Sequence, residues 1–112
     1  MADELVESEY TFYAVADVSE IPNGERIFLS IGEENIVVFN IAGKLFAMGD
    51  VCTHDGGPLG EGELDGYDVI CPRHGAHFDV RTGKALTLPA FIDAPYYPVR
   101  ITGSEIEVGI KE

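Results

Sequence analysis

Cysteine is scarce in this chain of 112 residues: there are two, and both fall in a single stretch. If both serve as ligands, as argued below, none is left for a disulfide, which suits a reducing compartment. Basic residues are also few, seven Lys and Arg against twenty Asp and Glu, for a formal net charge of -13. That balance excludes nucleic acid as a partner, because binding a phosphate backbone needs Lys and Arg to displace counterions. It steers the protein instead toward basic patches on other proteins, and it keeps a small chain soluble. No apolar run approaches the roughly 18 residues that a membrane-spanning helix needs. The first ten residues, MADELVESEY, have neither a basic nor an apolar region, so no secretory or twin-arginine signal is visible and a cytoplasmic location is expected. The chain has no G-x-x-x-x-G-K-[ST] phosphate loop, and its four serines include no G-x-S-x-G. No repeat, linker or long helical pattern is present. The length bounds the chain to one domain.

What is present concentrates in residues 52–77, CTHDGGPLGEGELDGYDVICPRHGAH, which hold both cysteines and all three histidines. Cys52 and His54 form one ligand pair, Cys71 and His74 another, with sixteen residues between His54 and Cys71. Two thiolates and two imidazoles can bind zinc tetrahedrally, or can hold an iron-sulfur cluster in which two histidines replace two cysteines. Zinc knuckles usually pair like ligands, C-x2-4-C with a separate H-x3-5-H, whereas here each half mixes Cys and His. A two-iron cluster uses the mixture if one iron takes both thiolates and the other both imidazoles. Gly56, Gly57, Gly60, Gly62, Gly66 and Gly75 crowd the same region. Glycine permits left-handed turns and brings backbone N–H groups close to a buried acceptor such as a bridging sulfide, although tight turns alone also call for it.

At these residues the chain resembles the Rieske family: C-x-H, then C-P-x-H-G-x-x-F-D as CPRHGAHFD over residues 71–79, then TGKAL over residues 82–86, with FAMGDVCTH upstream. The likeness covers nearly the whole chain and fits the family's small ferredoxins. It implies one 2Fe-2S cluster with Cys52, His54, Cys71 and His74 as its ligands, the histidines binding through Nδ1 with their far edges near solvent. It also implies an all-β fold, an antiparallel sandwich or partly open barrel base carrying a small inserted cluster-binding subdomain. Residues 10–46 and 94–112 are the expected base, residues 47–93 the insertion, and residues 1–9 an acidic tail.

The strand pattern agrees with that plan. Strands are expected over residues 10–16, 26–31, 36–41 and 44–48, the last two joined by a tight Ala42-Gly43 turn, with a single helical turn near residues 16–22. Residues 67–70 should lead into Cys71, and residues 78–80 should pair with residues 84–88. Three prolines in residues 89–98 suit a loop folded over the ligands. Clean alternation near residues 99–110 marks two half-buried antiparallel strands.

Histidine ligation has a charge consequence. Two ferric ions, two sulfides and two thiolates sum to zero, where four thiolates leave a dianion, so an added electron is easier to accept, within the range of about -150 to +300 mV. High-potential relatives carry an extra disulfide between the ligand loops and hydroxyl donors to sulfur. Gly57, Arg73, Ala76 and Phe78 stand at those positions here, so the low end of the range is expected. Asp55 and Arg73 flank the ligand histidines and are candidates for tuning partner docking, against the plainer reading of each as a solvated charge. His77 is read as structural or surface polar rather than as a ligand. The resemblance implies a soluble one-electron carrier, not an enzyme, working between an NAD(P)H-dependent flavoprotein reductase and a terminal Rieske oxygenase. A Rieske-fold small subunit of a nitrite-reductase-type complex and a zinc-stabilised interaction module are the rivals.

Overall fold

The computed structural model describes residues 9–111. Apart from Glu9, which lies 3.5 Å from Lys111 Nζ, the expected acidic tail is therefore outside the described residues. Ten strands follow in chain order: β1 (Tyr10–Asp17), β2 (Arg26–Ile31), β3 (Glu34–Ile41), β4 (Lys44–Gly49), β5 (Leu64–Asp65), β6 (Asp68–Ile70), β7 (His77–Asp79), β8 (Tyr96–Tyr97), β9 (Val99–Thr102) and β10 (Glu105–Lys111). They form three antiparallel sheets, in the orders β1-β10-β9, β2-β3-β4-β8 and β5-β6-β7, and none closes into a barrel. The expected helical turn is a 3-10 turn at Val18–Glu20, capped by Asp17, whose carboxylate accepts from the Ser19 N–H at 3.0 Å.

β3 is the spine. Ile36, Val37, Val38 and Phe39 are all fully buried, because the strand is covered on both faces. Ile36 and Val38, with Ala47 of β4, face Ile106 and Val108 of β10 and close the base. Val37 and Phe39, with Met48, face the other way and pack on Leu59, Val69, Phe78, Val80 and both cysteines. Because side chains alternate across a strand, one run of apolar residues both seals the base and floors the ligand region. The hairpin joining β3 to β4 turns at Ala42 and Gly43, with φ of 56° and 86°, the positive values a two-residue primed turn requires.

The structure departs from the sequence reading in three places. Residues 84–88 pair with β7, but over a shorter stretch than a full strand. The pairing is the bridge from Phe78 to Ala85 with a backbone bond on each side, Asp79 N–H to Lys84 O at 2.9 Å and Leu86 N–H to His77 O at 2.8 Å, and it stops there because the Lys84 N–H turns to Thr82 Oγ1 and the His77 N–H to Thr87 Oγ1. β5 was not anticipated: it pairs with β6 across Gly66, which has a φ of 63°. The proline-rich segment contains a short strand after all, since Pro95 and Pro98 bracket Tyr96 and Tyr97 and act only as acceptors, from the Gly49 and Gly109 N–H groups.

Candidate metal centre

Two loops carry the candidate ligand pairs, one between β4 and β5, the other between β6 and β7. They close by the same pair of hydrogen bonds. In the first, the Cys52 N–H donates to Gly57 O and the Gly56 N–H to Cys52 O, both at 2.7 Å; in the second, the Cys71 N–H donates to Ala76 O at 2.8 Å and the Gly75 N–H to Cys71 O at 2.9 Å. Gly56 and Gly75, each four residues after its cysteine, have φ of 77° and 78° in otherwise open space. Backbone conformation, not crowding, requires glycine there.

These matching turns place like ligands at like depth. Cys52 and Cys71 are buried, at 0% and 1% exposure, whereas His54 and His74 are exposed, their rings edge to face with centroids 4.7 Å apart. Thiols therefore meet in the core and imidazoles at the surface. Burial opposes ionisation of both thiols. It prevails at Cys52, which is pushed up; at Cys71 the N–H groups of Arg73 and His74 and the Cys52 thiol outweigh it and bring that thiol below its ordinary value.

The donor set fits a binuclear cluster better than a single ion. Among the described residues, no three His, Cys, Asp or Glu side chains converge as one metal ion would need. Tetrahedral zinc calls for four such ligands, whereas each iron of a sulfide-bridged pair needs only two from the protein. Both cysteines are free thiols. Ala76 and Phe78 are fully buried and apolar, and the Thr53 hydroxyl donates to Ile92 O, so none of these side chains offers a hydroxyl to the centre.

The far end of the first loop is held by residues the sequence reading passed over. Asp50 Oδ1 accepts from the Leu59 and Gly60 N–H groups at 2.9 and 2.6 Å. Arg26, on β2, donates Nη1 to Gly60 O and Gly62 O at 2.6 and 2.7 Å, with its guanidinium 5.1 Å from the Phe39 ring centre. A carboxylate thus takes the loop's donors and a guanidinium its acceptors. Asp50 adjoins the motif and was within reach of sequence reasoning, but nothing along the chain marks Arg26. His77 is committed to Asp68, Nδ1 to Oδ2 at 3.0 Å, across the β6–β7 pair.

Asp55 and Arg73 are not simple solvated charges. The Arg73 Nε lies 2.7 Å from Asp55 Oδ2 and its Nη2 3.0 Å from Oδ1, and the guanidinium holds the carboxyl well below the usual carboxylate range. Asp55 Oδ2 also lies 3.0 Å from His74 Nε2.

Comparison with known proteins agrees with this geometry. The model of a family described as the Rieske [2Fe-2S] domain matches residues 11–98. The 3-phenylpropionate/cinnamic acid dioxygenase ferredoxin subunit of Shigella boydii serotype 4 (strain Sb227) is 38% identical over 96 residues, 85% of this chain and 90% of its own. Among solved structures, the ferredoxin of carbazole 1,9a-dioxygenase from Nocardioides aromaticivorans IC177 superposes with a TM-score of 0.81 at 27% identity, covering 88% of this chain and 96% of that one. A chain in a complex of reduced oxygenase and oxidised ferredoxin in carbazole 1,9a-dioxygenase gives a TM-score of 0.82 at 28% identity, covering 90% of this chain and 95% of that one.

Proposed function

The chain belongs to the Rieske [2Fe-2S] domain family, and from that premise we propose that it is the ferredoxin component of an oxygenase system, a carrier that passes single electrons from an NAD(P)H-dependent flavoprotein reductase to a terminal Rieske oxygenase. Cys52 and Cys71 would hold the inner iron and His54 and His74 the outer one. Residues 47–93 are the cluster-binding part of one domain, and the protein works in the cytoplasm; among the described residues no helix is long and apolar enough to cross a membrane. When bound, the cluster takes up and gives back one electron at a time.

The observation that carries this reading is the depth ordering of the ligands, buried thiols beneath two exposed imidazoles. It shields the inner ligands from solvent and leaves His54 and His74 as the shortest way out for an electron. The likeness of this chain to a protein in a complex of oxygenase and ferredoxin supports the oxygenase as acceptor. Depth ordering also favours a cluster over the zinc module, since no three ligands converge on one point among the described residues.

The surface beside the ligand loops suits a protein partner. Ala90 and Ala94 are buried and anchor the proline-rich segment, and the Thr53 hydroxyl ties its Ile92 carbonyl to the first ligand loop. Leu88, two residues before Ala90, and Phe91, between the two alanines, are each 78% exposed, and Ile92 is 58% exposed. Large apolar side chains held out in water mark an interaction site. Phe91→Ser is expected to weaken association with the oxygenase roughly tenfold or more, because truncating an interface anchor commonly costs about 2 kcal/mol, while leaving the midpoint potential unchanged. Stopped-flow reoxidation of the reduced protein by the terminal oxygenase of the same genome, at varied oxygenase concentration, reads this. Wild-type protein that passes no electrons to any oxygenase and copurifies with a large sirohaem protein would overturn the proposal in favour of a nitrite-reductase-type subunit.

A further inference from the structure

No covalent tie joins the two ligand loops, since the chain's two cysteines are both free and lie within the centre. Arg73 bridges them instead. From the second loop its guanidinium reaches Asp55 with two parallel bonds, Nε to Oδ2 at 2.7 Å and Nη2 to Oδ1 at 3.0 Å, and donates Nη1 to Pro58 O at 2.7 Å. Asp55 is fixed in turn by the Gly57 N–H, which donates to Oδ1 at 2.9 Å. Gly57 leaves the space the guanidinium occupies: a Cβ there would lie 2.8 Å from Arg73 Nη2 and 2.9 Å from its Cζ. An exposed ion pair held at one point contributes little. This one is a two-pronged fork with a third bond, seated in a slot that a side chain on residue 57 would fill, a geometry that arginine provides and lysine does not.

We propose that the Asp55–Arg73 pair is the clasp that fixes the spacing of the two ligand loops, so that Arg73 is a positioning residue for cluster retention and, through Asp55 Oδ2 on His74 Nε2, for the orientation of one outer ligand. The proposal rests on His54 and His74 being ligands. It predicts that the clasp acts as a unit and that charge alone does not replace it.

The experiment uses the cluster-loaded full chain, following bleaching of the visible absorbance in excess chelator and recording electron paramagnetic resonance of the reduced protein. Arg73→Ala is expected to lose its cluster about tenfold faster than wild type and to broaden the resonance lines. Arg73→Lys should fall between the two in rate and recover part of the line shape, and Asp55→Asn combined with Arg73→Ala should lose the cluster no faster than Arg73→Ala alone. Far-ultraviolet circular dichroism should stay unchanged throughout. Arg73→Ala within twofold of a Lys44→Ala control, or a double variant whose rate is the product of the single effects, would overturn the clasp. If Arg73→Ala does not fold, Arg73→Lys and Asp55→Asn decide, rates equal to the control overturning it and faster loss supporting it. Wild-type protein without iron and sulfide would instead overturn the ligand assignment and the clasp together, an outcome distinct from a stable cluster that is indifferent to Arg73.

Discussion

Exchanging His54 and His74 together for cysteine is expected to keep two irons in the protein while lowering the midpoint potential by roughly 250 mV or more, from somewhere within about -150 to +300 mV toward the about -400 mV of plant-type centres. The cause is charge. Two neutral imidazoles become two thiolates, so the oxidised site passes from neutral to a dianion, and the added electron meets two more negative charges at close range. Both positions lie at the exposed face on loops whose turns are closed by their own backbone hydrogen bonds, so the exchange leaves those turns and the buried Cys52 and Cys71 in place. The wild-type value should itself sit low, because Ala76 and Phe78 offer no hydroxyl to stabilise the reduced state. A redox titration followed by visible absorbance measures both proteins. An unchanged midpoint in the double variant would mean that the two histidines are not ligands.

Gly62→Ala should be among the most damaging single methyls in the described loops. A Cβ on residue 62 would lie 1.8 Å from the carbonyl oxygen of Ile70, 2.9 Å from its carbonyl carbon and 3.3 Å from Leu59 O. These are backbone atoms and cannot rotate away. Ile70 immediately precedes Cys71, and Gly62 O takes one of the two bonds from Arg26, so relief by moving either strand of chain disturbs a ligand loop or its tether. Overpacking of this kind costs about 3 kcal/mol or more. At roughly 4 °C per kcal/mol for a domain of this size, the melting temperature should fall by about 12 °C or more. Gly66→Ala provides the contrast, since its Cβ would meet nothing within 4 Å and only its φ of 63° is unfavourable, a cost of about 1 kcal/mol. Thermal unfolding followed by circular dichroism compares the two, and equal losses would contradict the steric account.

How much of this was legible in the sequence depends on the range of the interaction. The candidate ligand pairs, the meander and the last two strands are each written locally, in a motif, a period of two or a turn residue. The glycines four residues after each cysteine belong to the same class. Contacts between distant residues leave no such mark. Arg26 reaches Gly60 and Gly62 across 34 and 36 positions, and Asp55 finds Arg73 across 18, so the sequence offered only isolated charges where the fold makes a tether and a clasp. The pairing of residues 84–88 with β7 was read as too long for a related reason: the pattern suits a strand, but the Thr82 and Thr87 hydroxyls take the Lys84 and His77 N–H groups that a longer ladder would need. β3 looked like an ordinary strand of a meander. Its unbroken apolar run made sense only once both of its faces were seen to be covered.

The most direct measurement is pulsed electron paramagnetic resonance on dithionite-reduced protein labelled with 15N only in histidine. Two coupled histidine nitrogens, both lost in the protein with His54 and His74 exchanged for cysteine, are the predicted result. A signal without histidine nitrogen coupling, or a colourless protein that contains zinc and gives no signal, would contradict it.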